Sequence, residues 1–242
     1  MTAELRALWQ EAFGDSAETL DNFAATGFSP NRYHAIYERN TPVSALYWFD
    51  CQLDGEKLAY IYAVATLKSH RGQGLAPRLL AETHEILKKQ GYAGAILVPN
   101  SPLFPFYEKI GYKTVTQKNR FVCQAAGEPT PLREIDIDEY AKLRRTFLPP
   151  AGVIQEGAAL DWLHTYAKFY AGSDFIFSAT GEADTLSVQE FLGNTAHAPG
   201  ILTALGSANG IFHTPGAGQD FAMYLPFTPN CPVPAYFGLA LD

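Results

Sequence analysis

The chain has 242 residues, 47% hydrophobic, 13% aromatic and 18% charged, a globular composition with enough length for a sizeable core, which excludes intrinsic disorder. No apolar run approaches the roughly 18–20 residues of a membrane-crossing helix, and residues 1–15 lack the cationic lead and apolar stretch of a secretory signal. The net charge of −7 is uneven: residues 1–125 carry 13 Lys+Arg against 12 Asp+Glu, and residues 126–242 carry 5 against 13. So acidic a half argues against a nucleic-acid platform, which needs a basic face over the phosphates.

In chain order, Leu5, Leu8, Trp9 and Ala12 predict one face of an opening helix. Asp15 and Glu18, at capping-box spacing, predict the start of a second. Residues 43–50 (VSALYWFD) predict a strand, and residues 58–67 (LAYIYAVATL) a longer one, apolar on both faces as in a central strand. From 74 to 89 the period becomes helical, with Leu75, Leu79, Leu80, Ile86 and Leu87 on one stripe. Residues 92–98 predict a strand that ends at Pro99-Asn100-Ser101-Pro102, followed by a short helix over 103–110 that stops at Gly111. Strands near 112–116 and 120–125 complete an α/β layer pattern.

The Gly- and Pro-bearing stretch 126–131 (AGEPTP), where the charge balance shifts, predicts a boundary between domains 1–126 and 132–242. Beyond it the patterns predict helices near 138–147, 160–170 and 199–205, and strands at 175–179, 186–191, 211–214, 221–225 and 235–241. The second half repeats the grammar of the first, as a degenerate second copy would.

The most informative segment runs from Ala63 to Leu80. A buried strand turns through Arg71-Gly72-Gln73-Gly74-Leu75-Ala76 into a helix. The first N–H groups of a helix have no intrahelical partner, and the macrodipole places positive charge there. Gly72 and Gly74 let the backbone approach a ligand closely, and Arg71 adds charge, so the turn suits a diphosphate. It fits neither the phosphate-loop pattern ending in Gly-Lys-[Ser/Thr] nor the dinucleotide fingerprint, since Leu75, Ala76 and Pro77 follow Gly74.

R-x-x-G-x-A after a strand resembles the pyrophosphate motif of the GNAT acetyltransferase superfamily. The segment Phe106-Tyr107-Glu108-Lys109-Ile110-Gly111-Tyr112 resembles a second motif of that superfamily, in the expected order. The resemblance covers roughly residues 1–125. It implies a mixed β-sheet flanked by helices, followed by a smaller GNAT-like α/β domain without a second cofactor loop. It also implies that acetyl-CoA is the co-substrate, that no metal takes part, and that an acetyl group passes to a primary amine by direct attack in a ternary complex. Carried over by position, Val64, Ala65 and Thr66 face the acetyl carbonyl and pantetheine arm, and Arg71, Gly72, Gln73, Gly74, Leu75 and Ala76 hold the pyrophosphate. Asn100 and Ser101 lie near the pantetheine and sulfur, and Tyr107 protonates the departing thiolate. The tail is similar to the C-terminal portions of two-domain GNAT proteins, and residues 63–74 (AVATLKSHRGQG) are similar to the cofactor loop of the enhanced-intracellular-survival aminoglycoside acetyltransferases, in which a terminal carboxylate serves as base. Asp242 stands last here, but the sterol-carrier-like third domain of those proteins is missing.

Plainer readings stand beside these. Tyr107 also reads as a packing aromatic, Tyr112 as core, His70 as a solvated turn residue, and the acidic half as a solvated surface rather than an attractor for a cationic acceptor. Asp50, Glu56 and Glu190 are candidate bases. The other histidines show no metal spacing. Cys51, Cys123 and Cys231 form neither a disulfide framework nor a zinc site and fit a reducing cytoplasm; Cys51 reads as a small buried hydrophobe. A non-catalytic acyl-CoA sensor and a protein-lysine acetyltransferase are the rival functions. The sequence leaves self-association open and indicates neither a nucleic-acid nor a membrane partner.

Overall fold

The apolar run that opens at Leu58 lies at the centre of the molecule in a computed structural model, which describes residues 1–182 and 184–241. Helices α1 (Ala3–Phe13) and α2 (Ala17–Thr26) precede strands β1 (Tyr33–Glu38), β2 (Thr41–Leu53) and β3 (Glu56–Thr66). Then come α3 (Leu75–Lys89), β4 (Gly94–Leu97), α4 (Phe104–Ile110), β5 (Lys113–Thr114) and β6 (Gln117–Gln124). The second half holds β7 (Arg133–Ile135), α5 (Ile137–Phe147), β8 (Ile154–Gln155), α6 (Ala158–His164), β9 (Lys168–Ala171), β10 (Phe175–Glu182) and β11 (Thr185–Gly193). It ends with α7 (Ala198–Leu205), β12 (Asn209–Pro215), β13 (Gln219–Asp220) and β14 (Met223–Pro226).

These elements make a mixed α/β fold of two sheets flanked by helices. The first sheet runs β1-β2-β3-β4-β14-β5, with β8 added to β2; the second runs β13-β6-β12-β11-β10-β9-β7. Each sheet contains one parallel strand–helix–strand unit, β3-α3-β4 and β11-α7-β12. The sheets trade strands across the stretch 126–131. β6 precedes that stretch and pairs with β12, while β14 follows it and lies between β4 and β5.

Strict alternation explains the layering. On β2, Tyr47, Phe49, Cys51 and Leu53 face one way and Leu46 and Trp48 the other; on β3, Leu58, Tyr60 and Tyr62 oppose Ala59 and Ile61. The face with Leu46 and Trp48 is covered by Leu79, Leu80 and Leu87 of α3 and Tyr107 of α4. The opposite face packs against Trp9 and Phe23 from the first half and Leu160, Trp162 and Leu163 from α6, in a single cluster that reaches Phe169 and Ile176 of the second sheet. Each such buried Leu or Phe stabilises the fold by about 1.5–3 kcal/mol. The two halves therefore share one core.

Two predicted elements differ. The helix expected over 160–170 ends at His164, because Phe169 and Ala171 are taken into the ladder opposite Ser178 and Ile176. The strand expected over 235–241 forms no ladder beyond one bridge between Gly152 and Tyr236. It is a strap whose backbone bonds first to the backbone of Ala151 and Val153 and then, from Leu239 on, to side chains. Leu239 N–H donates to Gln155 Oε1 (3.1 Å), Gln155 Nε2 donates to Leu239 C=O (2.7 Å), and Leu241 N–H donates to the Tyr60 hydroxyl (3.3 Å). Strand β1 was not foreseen.

Candidate active site

The site begins where β3 loses its neighbour. β3 and β4 pair in parallel only over Leu58–Tyr60 and Gly94–Ile96, after which β3 continues to Thr66 without β4. On its other edge the β2–β3 register slips between Ala45 and Tyr47, and Ala63 takes a left-handed backbone, φ 49°. This is a β-bulge, which leaves the extra residue outside the ladder and re-aims the strand. A non-glycine residue in that conformation costs about 1–3 kcal/mol and persists only where its surroundings hold it. The splay and the bulge together open a cavity of about 470 Å³, with Ala63 and Val64 in its wall.

Three residues past Val64 the strand gives way to the turn. A short 3₁₀ segment, Lys68–His70, is tied to α1 by the Lys68 N–H donating to Glu11 Oε1 (2.6 Å). Gly72 and Gly74 have φ of +76° and +74°, with open space where a Cβ would stand. Gly74 therefore starts α3 without a side-chain cap, and the N–H groups of Leu75 and Ala76 have no intrahelical partner. Arg71 Nε donates to the Thr66 carbonyl (3.2 Å), which sets the exposed guanidinium at the mouth of the turn. His70 lies between Ser69 Oγ (2.8 Å from Nδ1) and Glu38 (3.3 Å from Nε2).

The wall on the β4 side follows from its proline-broken end. Leu97, Val98, Pro99 and Asn100 line the cavity, the segment Ser101–Leu103 makes one 3₁₀ turn, and α4 brings Tyr107 to the same space. The Tyr107 side chain is buried, and loss of solvent pushes its phenol up to about 12, so it is held as the protonated form at neutral pH. Among the described residues its hydroxyl has no hydrogen-bond partner. Behind it, the Tyr112 hydroxyl lies 2.8 Å from Nε2 of buried His84, whose pKa burial lowers to about 4.

The opposite wall comes from elements with no motif. Trp9 and Phe13 of α1, Asp15 and Thr19 at the α1–α2 junction, Trp162 and Tyr166 beyond it, and Leu241 of the strap all line the cavity. Tyr62 joins the walls: its hydroxyl donates to the Leu241 carbonyl (2.8 Å) and accepts from Trp162 Nε1 (3.3 Å). Asp15 is not the helix cap its spacing suggested. Ser16 Oγ takes the Thr19 N–H (3.1 Å), and Asp15 Oδ2 instead accepts from Trp9 Nε1 (2.6 Å). Two cap-capable residues in succession were the one signal in the sequence that one of them was spare.

Of the residues expected at a cofactor site, Val64, Asn100 and Tyr107 line the cavity. Ala65 and Thr66 continue β3 toward Arg71–Ala76, with the Ala65 carbonyl accepting from Ser44 Oγ (2.9 Å) and the Thr66 hydroxyl 2.8 Å from it. Ser101 is exposed beside Asn100. The candidate bases do not line the cavity. Burial would raise the Asp50 carboxyl, but the Tyr92 hydroxyl, Lys57 and Arg32 outweigh it and hold it below the usual range. Glu56 is exposed at the start of β3. Glu190 is fully buried against Arg144, with Nε–Oε2 at 2.7 Å. Asp242 lies outside the described residues. Cys51 is buried, its thiol pushed up to about 12 by burial. No cluster of His, Cys, Asp and Glu among the described residues could hold a metal ion, and no described helix is long and apolar enough to cross a membrane.

Comparison with known proteins agrees with this geometry. Residues 2–115 match the family model described as an acetyltransferase (GNAT) domain. The chain is similar to the crystal structure of a GCN5-related N-acetyltransferase from Kribbella flavida, at 16% identity and a TM-score of 0.71, over 91% of this chain and 67% of that one. A GCN5-related N-acetyltransferase from Anabaena variabilis matches at 13% identity and a TM-score of 0.71, over 93% and 70%. Eis1 from Mycobacterium abscessus matches at 12% identity and a TM-score of 0.65, over 91% and 70%. The chain has the GNAT fold, and at these identities the solved structures speak to fold alone.

Proposed function

We propose that the chain is an acetyl-CoA-dependent N-acetyltransferase that passes the acetyl group directly to a primary amine. The observation that carries this reading is the bulge at Ala63. One strand supplies the re-aimed backbone at the cavity and then runs within a few residues into an anion-binding turn. The edge of β3 beyond Tyr60, where β4 no longer pairs with it, is suited to the amide-bearing pantetheine arm, and the Arg71–Ala76 turn suits the pyrophosphate. Asn100 and Ser101, at the end of β4, are read as neighbours of the same arm.

In this mechanism the amine nitrogen forms a bond to the thioester carbon, and backbone N–H groups of the bulged strand stabilise the oxyanion that develops. The carbon–sulfur bond then breaks, the sulfur takes the Tyr107 proton, and the nitrogen gives up its own proton to solvent or to a base. Holding both substrates together lowers the barrier by as much as about 7–11 kcal/mol. The halves 1–126 and 132–242 are read as a GNAT unit and a GNAT-like unit without a cofactor turn. The paired parallel units β3-α3-β4 and β11-α7-β12 support that reading, since Asn194–His197 lacks the R-x-x-G-x-A pattern.

The test is calorimetric titration with acetyl-CoA, followed by thiol release across a panel of small amines. Micromolar binding with amine-dependent release is the expected result. Binding without release would make the chain a sensor, and no binding at millimolar coenzyme A would end the proposal.

A further inference from the structure

Resting on the reading above, we infer that the cavity wall opposite Tyr107 is an acceptor site for a singly charged ammonium ion on a planar, apolar body, with the ammonium on Asp15. Asp15 is the one charged side chain among the described residues that line the cavity. It is half-buried, and one carboxylate oxygen is fixed by the Trp9 indole while Oδ1 receives no hydrogen bond from a described residue. An unneutralised, half-buried carboxylate in a recess attracts a cation more strongly than the same group on an open surface.

The neighbours of Asp15 select the body that carries the charge. Trp9 and Phe13 lie with ring centroids 5.5 Å apart, Trp162 and Tyr166 lie 5.4 Å apart, and Phe23 bridges the two tryptophans at 4.6 and 5.3 Å. Trp9, Phe13, Trp162 and Tyr166 form an aromatic wall, contributed by both halves of the chain and backed by buried Phe23, whose rings favour a cation on a flat apolar body. Among the described residues Asp15 is the one carboxylate in the lining, so a second ammonium would find no counter-charge from them. A single described carboxylate favours one ammonium over a polycation.

The experiment uses the full chain and three probes: 2-phenylethylammonium, its neutral isostere 2-phenylethanol, and the triply charged spermidine. Binding is followed by tryptophan fluorescence and calorimetry, in parallel with coenzyme A. We expect the ammonium to bind at least tenfold more tightly than the alcohol and than spermidine. In Asp15→Asn, which keeps an oxygen for the Trp9 indole, the advantage over the alcohol should vanish while the coenzyme A affinity stays within twofold. Equal binding of ammonium and alcohol by the native chain, tighter binding of spermidine, or an unchanged preference in Asp15→Asn would overturn the inference. Each of these results is independent of coenzyme A binding, so loss of that binding alone would count against the acetyltransferase reading and not against this one.

Discussion

Replacing Arg144 by leucine removes the counter-charge of the most deeply buried carboxylate described in the molecule. Glu190 is fully buried; Arg144 Nε and Nη2 donate to its two oxygens at 2.7 and 2.9 Å, and the Tyr140 and Tyr236 hydroxyls each donate at 2.9 Å. The guanidinium also serves the Val153 carbonyl (3.2 Å) and Gln155 Oε1 (3.3 Å), so its loss leaves two further acceptors short of a donor. Two tyrosine hydroxyls do not replace a positive charge in a site without solvent. Breaking one side of such a pair costs about 3–5 kcal/mol, a large part of the 5–15 kcal/mol expected for a whole domain. With a urea slope of about 3 kcal/mol per molar, the midpoint of unfolding should fall by about 1–1.7 M. Arg144→Leu combined with Glu190→Leu should recover part of the loss, and not all of it, because Tyr140 and Tyr236 then lack an acceptor. A fall of less than about 1 kcal/mol in Arg144→Leu would refute the reasoning.

Three further outcomes are expected. Tyr107→Phe should lower kcat by about a hundredfold or more at unchanged acetyl-CoA affinity and, since the hydroxyl has no protein partner among the described residues, at nearly unchanged stability; an unaltered kcat removes Tyr107 from the chemistry. Arg71→Ala should raise the acetyl-CoA Kd by about tenfold, the more so at low salt, with the thermal midpoint unmoved; calorimetry in two salt concentrations checks this, and equal affinities would dismiss Arg71 as a phosphate ligand. Folding holds His84 neutral, with a pKa of about 4, whereas the unfolded chain takes up a proton near 6.5. That contribution is complete above about pH 6.5 and is lost as pH falls toward 4, by about 3 kcal/mol in all. Denaturant titrations in His84→Gln should show a correspondingly flatter decline, and parallel declines would be inconsistent with this assignment.

The parts of this molecule legible in the sequence are those whose determinants are local. The stripe Leu79, Leu80, Leu87 marks α3 because one face of one helix must be apolar, and the Gly72–Gly74 turn is legible because positive φ restricts residue choice. The bulge at Ala63 left no mark, since alanine is an unremarkable residue in a strand and only the slip against Leu46 creates it. Trp9, Asp15, Trp162 and Tyr166 come together from distant segments, and nothing near any one of them in the chain refers to the others. The strap from Tyr236 to Leu241 read as a strand because strands and side-chain-satisfied extended segments share one composition. Gly238 runs so close to Glu190 that a Cβ there would collide with Oε1, a constraint visible only after folding.

The placement of β14 between β4 and β5 bears on biosynthesis. As the polypeptide emerges from the ribosome, β4 and β5 are synthesised long before Met223–Pro226, and until then each presents an open edge to its surroundings. The nascent first half must wait in an incomplete state, shielded by chaperones or by its own collapse, and closure demands one of the longest loops in the chain. Stalling or truncation after residue 126 should thus yield an aggregating fragment rather than a small working enzyme, and the cavity is completed last, when Leu241 arrives.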